Sequence, residues 1–265
     1  MAKASEGVKL DRIEFSLDIS TDVPKFKDIQ ECQDYFQYPI KEGIRKYRFA
    51  MHLEDGVMLY FSNRRGNSKF PCGQIFFYHN VSNEIPIDSI FSKVSRYIPP
   101  GFYIKNMCRV DVCSDKLIPF KEFISKIAPL GMDVNYCHSE YSAIYRSAGN
   151  PGTYQFGQGD VVIRIYNKQH EQKVDFAWSR AEMQFRTDKI TQASPKENSI
   201  SDIGFLDTVL SLVSHGLEYF RPLKTKKIKG HYELSEVSEY WLELFSTVAD
   251  PGKLPPRRRN NAYYV

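Results

Sequence analysis

The chain has 265 residues, a net charge of +4, 42% hydrophobic and 14% aromatic content, which supplies a sizeable core and excludes a largely disordered protein. The mild positive charge admits a nucleic-acid partner without requiring one. No apolar run reaches membrane-spanning length, MAKASEGVKLDR lacks an apolar signal core, and the five cysteines (Cys32, Cys72, Cys108, Cys113, Cys137) form no C-x-x-C pair. These features argue against a membrane span, a secreted disulfide framework and a zinc site, and lead to an expectation of reduced thiols in the cytoplasm.

In chain order, residues 1–9 read as a flexible lead-in. From Arg12 the chain alternates, with Ile13, Phe15, Leu17 and Ile19 on one side of a half-buried strand and Arg12, Glu14, Ser16 and Asp18 on the other. RKYRFAMHL and VMLYFS (45–62) read as a hairpin turning at Glu54-Asp55-Gly56, followed by a loop with Arg64 and Arg65 and a strand at 73–79. Residues 88–98 have helical spacing between Asp88 and Pro99-Pro100. A strand at 102–115, a helix after Pro119 and a strand at 134–146 follow. SAGNPG (147–152) reads as a loop into TYQFGQGDVVIRIYNK, and 175–187 as one more strand. After a polar linker at 190–199, segments 202–220 and 234–246 read as amphipathic helices flanking the basic strip PLKTKKIKG.

The predicted fold class is therefore α+β: an antiparallel sheet core over residues 10–190 with helices on one face. A helical C-terminal appendage (191–249) and a basic, loosely held tail (250–265) complete it. Strand-helix-strand patterns recur on both sides of residue 100 and suggest two similar halves.

Three strands carry chemistry on their polar parity. MCRVDVC presents Arg109, Asp111 and Cys113; WSRAEMQFR presents Arg180, Glu182, Gln184 and Arg186; VVIRIYNK presents Arg164, Tyr166 and Lys168. Placed side by side, they would form either a ladder of ion pairs or a site in which carboxylates hold a divalent cation while arginines grip phosphate oxygens. The spacing is consistent with both.

Four segments, in order, carry a resemblance: LDRIEFSLD (10–18), CRVDVCSD (108–115), TYQFGQGDVVIRIYNKQHEQ (153–172) and WSRAEMQFR (178–186). Together they resemble the replication initiation factor family of rolling-circle replication initiators and relaxases carried by plasmids, phages and conjugative elements. The resemblance implies a metal-dependent endonuclease that nicks one DNA strand through Tyr166, with Arg164 and Lys168 beside the phenol. It implies Mg²⁺ or Mn²⁺ held by Asp111 and Glu182. Glu14 is the third ligand by parity, whereas Asp11 fits the family's written pattern but falls on the apolar parity of the strand. Asn167 stands where the family has Asp, and the His-hydrophobe-His motif of other initiators is missing because all six histidines are isolated.

A phenol with pKa near 10 needs an activator at neutral pH. The expected product is a 5′-phosphotyrosine and a free 3′-OH primer. DNA contacts are expected from Arg109, Arg180 and Arg186, and from Arg64, Arg65, Lys226 and Lys227. The implied partners are a single-stranded or cruciform origin, a host helicase (no Walker signature occurs) and a second copy of the chain. A relaxase, a non-cutting DNA-binding regulator on the same fold, and an ordinary α+β protein with ion-pair ladders are the alternatives.

Overall fold

Strands whose apolar residues recur at every second position bury one face and leave the other for polar groups, and this alternation organises the molecule. The structure is a computed structural model and describes residues 7–43, 47–53, 57–63, 73–78, 90–128, 141–147, 150–193, 202–219, 227–228, 231–232 and 238–246. Its elements in chain order are β1 (Gly7–Ile19), α1 (Ile29–Phe36), β2 (Ile40–Glu42), β3 (Tyr47–His52), β4 (Met58–Asn63), β5 (Gly73–Tyr78) and α2 (Ile90–Ser95). Then come β6 (Phe102–Lys116), α3 (Phe120–Ile127), β7 (Tyr141–Ser147), β8 (Asn150–Phe156), β9 (Val161–Asn167), α4 (Lys168–Gln172), β10 (Ser179–Arg186), α5 (Thr187–Ala193) and α6 (Asp202–Tyr219). A short hairpin, β11 (Lys227–Ile228) and β12 (His231–Tyr232), and α7 (Glu239–Glu243) complete the set.

Strands β1 to β10 form one sheet in the order β2-β3-β4-β5-β1-β6-β10-β9-β8-β7, every pairing antiparallel. Read outward from the centre, the order is β1-β5-β4-β3-β2 on one side and β6-β10-β9-β8-β7 on the other. Each half is a long strand, a helix, and four further strands that wind back to pair with the first. The two halves anticipated around residue 100 are this repeat, joined through the long β1–β6 pair. The fold is α+β with an antiparallel sheet.

Helices cover one face. Cys32 of α1, Val94 of α2, Phe123 of α3, Ile190 of α5, Val209 of α6 and Trp241 of α7 lie in one buried cluster with Ile13, Val110, Ile163 and Met183 from the sheet. Each such side chain removed from water contributes about 1.5–3 kcal/mol. The helices after residue 190 therefore pack on the main core rather than standing apart from it. Gly216 marks the closest approach: a Cβ there would fall 2.5 Å from the Met183 sulfur.

Several boundaries differ from those read in the sequence. β1 begins at Gly7, inside the expected lead-in, because Lys9 is tied to the sheet through Asp115 at 2.7 Å. Asn150–Phe156 is a strand paired with β7, where residues 150–152 were expected to be loop. Thr187–Ala193 is a helix with Ile190 buried, where a linker was expected. Arg64, Arg65, Lys226, the Asp55-Gly56 turn, Asp88 and the tail lie outside the described residues, as do Cys72 and Cys137. Among the described residues, Cys32, Cys108 and Cys113 are free thiols, and no helix is long and apolar enough to cross a membrane.

Candidate active site

On the face opposite the helices, the three polar strands are neighbours in the order β6-β10-β9. Their register builds two rows across the sheet: Asp115, Arg180, Tyr166 and Cys113, Glu182, Arg164. Asp111 lies opposite Gln184, and Gln155 of β8 extends the second row beside Arg164. Apolar Val161, Ile163 and Ile165 anchor β9 from beneath, so Tyr166 sits on a rigid strand.

The Tyr166 hydroxyl donates to Glu182 Oε2 at 3.0 Å, and both side chains are buried. Arg164 donates through Nη1 to Glu182 Oε1 at 2.9 Å and Gln184 Oε1 at 3.0 Å, and through Nε to Gln155 Oε1 at 3.1 Å. Arg109 clamps Asp111 in a two-pronged bond of 2.8 and 2.5 Å. Arg180, with no exposed surface, grips Asp115 at 2.6 and 2.8 Å and also bonds Asp11. The Lys168 ammonium sits 5.5 Å above the Tyr166 ring and 6.0 Å from the Trp178 ring, and pairs with Glu171 at 2.6 Å. Such cation–ring contacts hold the ammonium against the aromatic face.

Burial, and then the Glu182 charge, push the Tyr166 phenol well above its ordinary range, and Arg180 offsets only part of this. At rest the nucleophile candidate is firmly protonated. Burial also pushes Asp111 up to about 7, with the charges of Glu182 and Asp11 adding to it against the pull of Arg109. Burial would raise Asp115 too, but hydrogen bonds and charge from Arg180 and Lys9 outweigh it and hold that carboxyl below the ordinary value.

Asp11 reaches this face through a bulge. The β1–β6 register slips between Leu10 and Arg12, so Leu10 and Ile13 both enter the core while Asp11 between them bonds Arg180. The apolar parity assigned to Asp11 by simple alternation is thereby corrected. Glu14 stands farther along the strand, paired with Arg12 at 2.6 Å and facing Arg109 at 3.7 Å. Of the two, Asp11 is the one whose charge reaches both Asp111 and Tyr166.

Burial raises the proton affinity of Asp111 most, and the charges of Glu182 and Asp11 add to it, so the three carboxylates act on one another across this face. Each is paired with an arginine: Asp111 with Arg109, Glu182 with Arg164 and Asp11 with Arg180. Among the described residues no three acidic, His or Cys side chains converge in a metal-binding group.

Other expectations sort by exposure. Arg180 was expected to touch DNA, but it is fully buried and bonded to Asp115 and Asp11, so it positions rather than contacts. Arg186 is exposed and opposite Arg109, whose side chain retains 19% exposure. Lys227 opens strand β11. Asn167 caps α4, its Oδ1 accepting from the His170 backbone N–H at 3.0 Å, and His170 itself points to solvent. Sequence reasoning passed over Asp115, whose signal was present: it continues the Asp111, Cys113 parity.

In fold the chain is similar to a rolling-circle replication initiator protein from Geobacillus stearothermophilus, with a TM-score of 0.57 and 15% identity over 92% of this chain and 97% of that one. No protein-family model matches the chain, and no curated protein matches it in sequence. At this identity the likeness establishes the shared fold.

Proposed function

We propose that the protein is a rolling-circle replication initiator that cuts one DNA strand with Tyr166. The observation that carries this reading is the buried Tyr166–Glu182 hydrogen bond on a strand flanked by guanidinium groups. The fold shared with an initiator supports it. A phenol this strongly protonated cannot attack as free phenolate, so its proton must leave as the bond to phosphorus forms. Glu182 stands ready to take it. As the tyrosine oxygen attacks the scissile phosphate, the P–O3′ bond breaks and the departing 3′ oxygen takes a proton to become a hydroxyl. The 5′-phosphate stays on the tyrosine, and reversal of the same steps rejoins strands.

Arg164 and Arg109, whose side chains keep 28% and 19% exposure, are the cations able to meet phosphate oxygens. Lys168 steadies charge on the phenol from above its ring. Arg180 fixes Asp115 and Asp11 beneath it. Asp111 and Glu182, with Asp11, would hold Mg²⁺ or Mn²⁺, which when bound supplies charge neutralisation at the scissile phosphate. With one such tyrosine among the described residues, a second copy would provide the second cut of a replication cycle, and a host helicase would open the duplex.

A second reading has its own observation. Asp111, Asp115 and Glu182 are each paired with an arginine, as a purely structural ion-pair ladder would be. Incubating the protein with end-labelled single strands of origin-like sequence, with Mn²⁺ or EDTA, separates the two. The nicking reading expects a metal-dependent covalent protein–DNA adduct carrying the DNA 3′ of the cut. The ladder reading expects none.

A further inference from the structure

Only five large hydrophobic side chains are exposed among the described residues: Ile29, Tyr35, Tyr103, Leu117 and Phe176. Phe176 is joined to the Tyr166 site by an unbroken series of side-chain contacts. Its ring, 38% exposed, lies parallel to Trp178 at 5.9 Å and 20°. Trp178 is 2% exposed, lies under Lys168 and 6.0 Å from the Arg180 guanidinium, and its buried indole N–H has no hydrogen-bond partner among the described residues. Lys168 in turn covers the Tyr166 ring. A phenylalanine left in water costs the fold burial energy it could have gained. Here a buried tryptophan holds it flat at the rim of the Tyr166 site.

We propose that Phe176 is the stacking platform for a nucleobase of the single strand, next to the phosphate presented to Tyr166. This rests on the strand-nicking reading and adds to it a base-binding position. A planar, polarisable base suits this place better than an aliphatic ligand. One base would extend the Trp178–Phe176 stack, and the contact would tolerate any of the four bases. Phe176 is then a positioning residue: it fixes the strand, and Tyr166 does the chemistry.

The test uses the full chain with fluorescein-labelled oligo(dT) and a matched strand whose central sugars lack bases, comparing wild type with Phe176→Ala, Phe176→Leu and Phe176→Trp. Leucine keeps an apolar contact with Trp178, so the series stays informative even if the alanine variant unfolds, and thermal melts verify each fold. The proposal expects alanine and leucine to weaken oligo(dT) binding about 5- to 100-fold, tryptophan to restore it, and the abasic strand to bind all four proteins alike. Quenching of 2-aminopurine placed along the strand should peak at one position and vanish in Phe176→Ala and Phe176→Leu. If wild type prefers the strand with bases but the leucine variant binds it equally well, the platform is refuted while the nicking reading stands. If wild type binds neither strand, the strand-binding reading falls and this inference with it.

Discussion

Replacing Arg180 with methionine probes the electrostatic floor of the site. The guanidinium and the Asp115 carboxylate both have no exposed side-chain surface and meet in a two-pronged bond. Breaking a buried pair from one side costs about 3–5 kcal/mol because the remaining charge is stranded. Lys9 stays 2.7 Å from Asp115, which puts the expected loss at the lower end, about 3 kcal/mol. For a chain of this size that is a fall in Tm of about 6 °C. The loss should depend on pH. In the native protein Asp115 is held below its ordinary value, so its contribution is complete above the unfolded carboxyl range and fades as pH drops through the folded value. Without Arg180, burial raises the same carboxyl, and the variant escapes its penalty by taking up a proton in acid. Melts should therefore show a deficit that is full near about pH 7.5 and shrinks toward about pH 4.5, and adding Asp115→Asn should recover much of it. A deficit below about 1 kcal/mol, or one that is constant with pH, would refute the picture of Asp115 as a buried charge dependent on Arg180.

Under the proposed mechanism Glu182→Gln removes the proton acceptor while keeping its shape, and adduct formation should slow about 10²- to 10⁴-fold in single-turnover assays. In EDTA, wild-type stability should fall as pH rises from the ordinary carboxyl value toward about 7, because folded Asp111 binds its proton more tightly than the unfolded chain does. Asp111→Asn should flatten that slope, by at most about 4 kcal/mol across the window, as melts at stepped pH would read. Mn²⁺ should raise the Tm of wild type near neutral pH and leave Asp111→Asn unmoved, measured by scanning fluorimetry against EDTA.

Alternation made much of the site legible. Val161, Ile163 and Ile165 against Arg164 and Tyr166, and Ala181, Met183 and Phe185 against Glu182 and Gln184, divide in the structure as they do in the sequence. The side-by-side placement of β6, β10 and β9 is a long-range pairing that no local pattern encodes. It is what brings Glu182 within reach of Tyr166. Asp11 was misplaced because a single-residue bulge reverses strand parity without any glycine or proline to announce it. Arg180 was taken for a DNA contact because a surface arginine and a buried, paired one look the same in sequence; only the register opposite Asp115 distinguishes them. The short helix α4 was hidden because it begins directly where β9 ends, with Asn167 serving both as the last strand residue and as the helix cap. The repeat of five strands was visible only as a recurrence around residue 100, and its pairing order needed the fold.

In the proposed function Tyr166 forms a bond to DNA. The most direct measurement is mass spectrometry of the tryptic peptide Ile165–Lys168 after reaction with an origin-like single strand in Mn²⁺, beside Tyr166→Phe. A tyrosine nucleophile leaves a nucleotide mass on that peptide and no adduct in the variant. An adduct on another residue, or one that persists at wild-type yield in Tyr166→Phe, would contradict it.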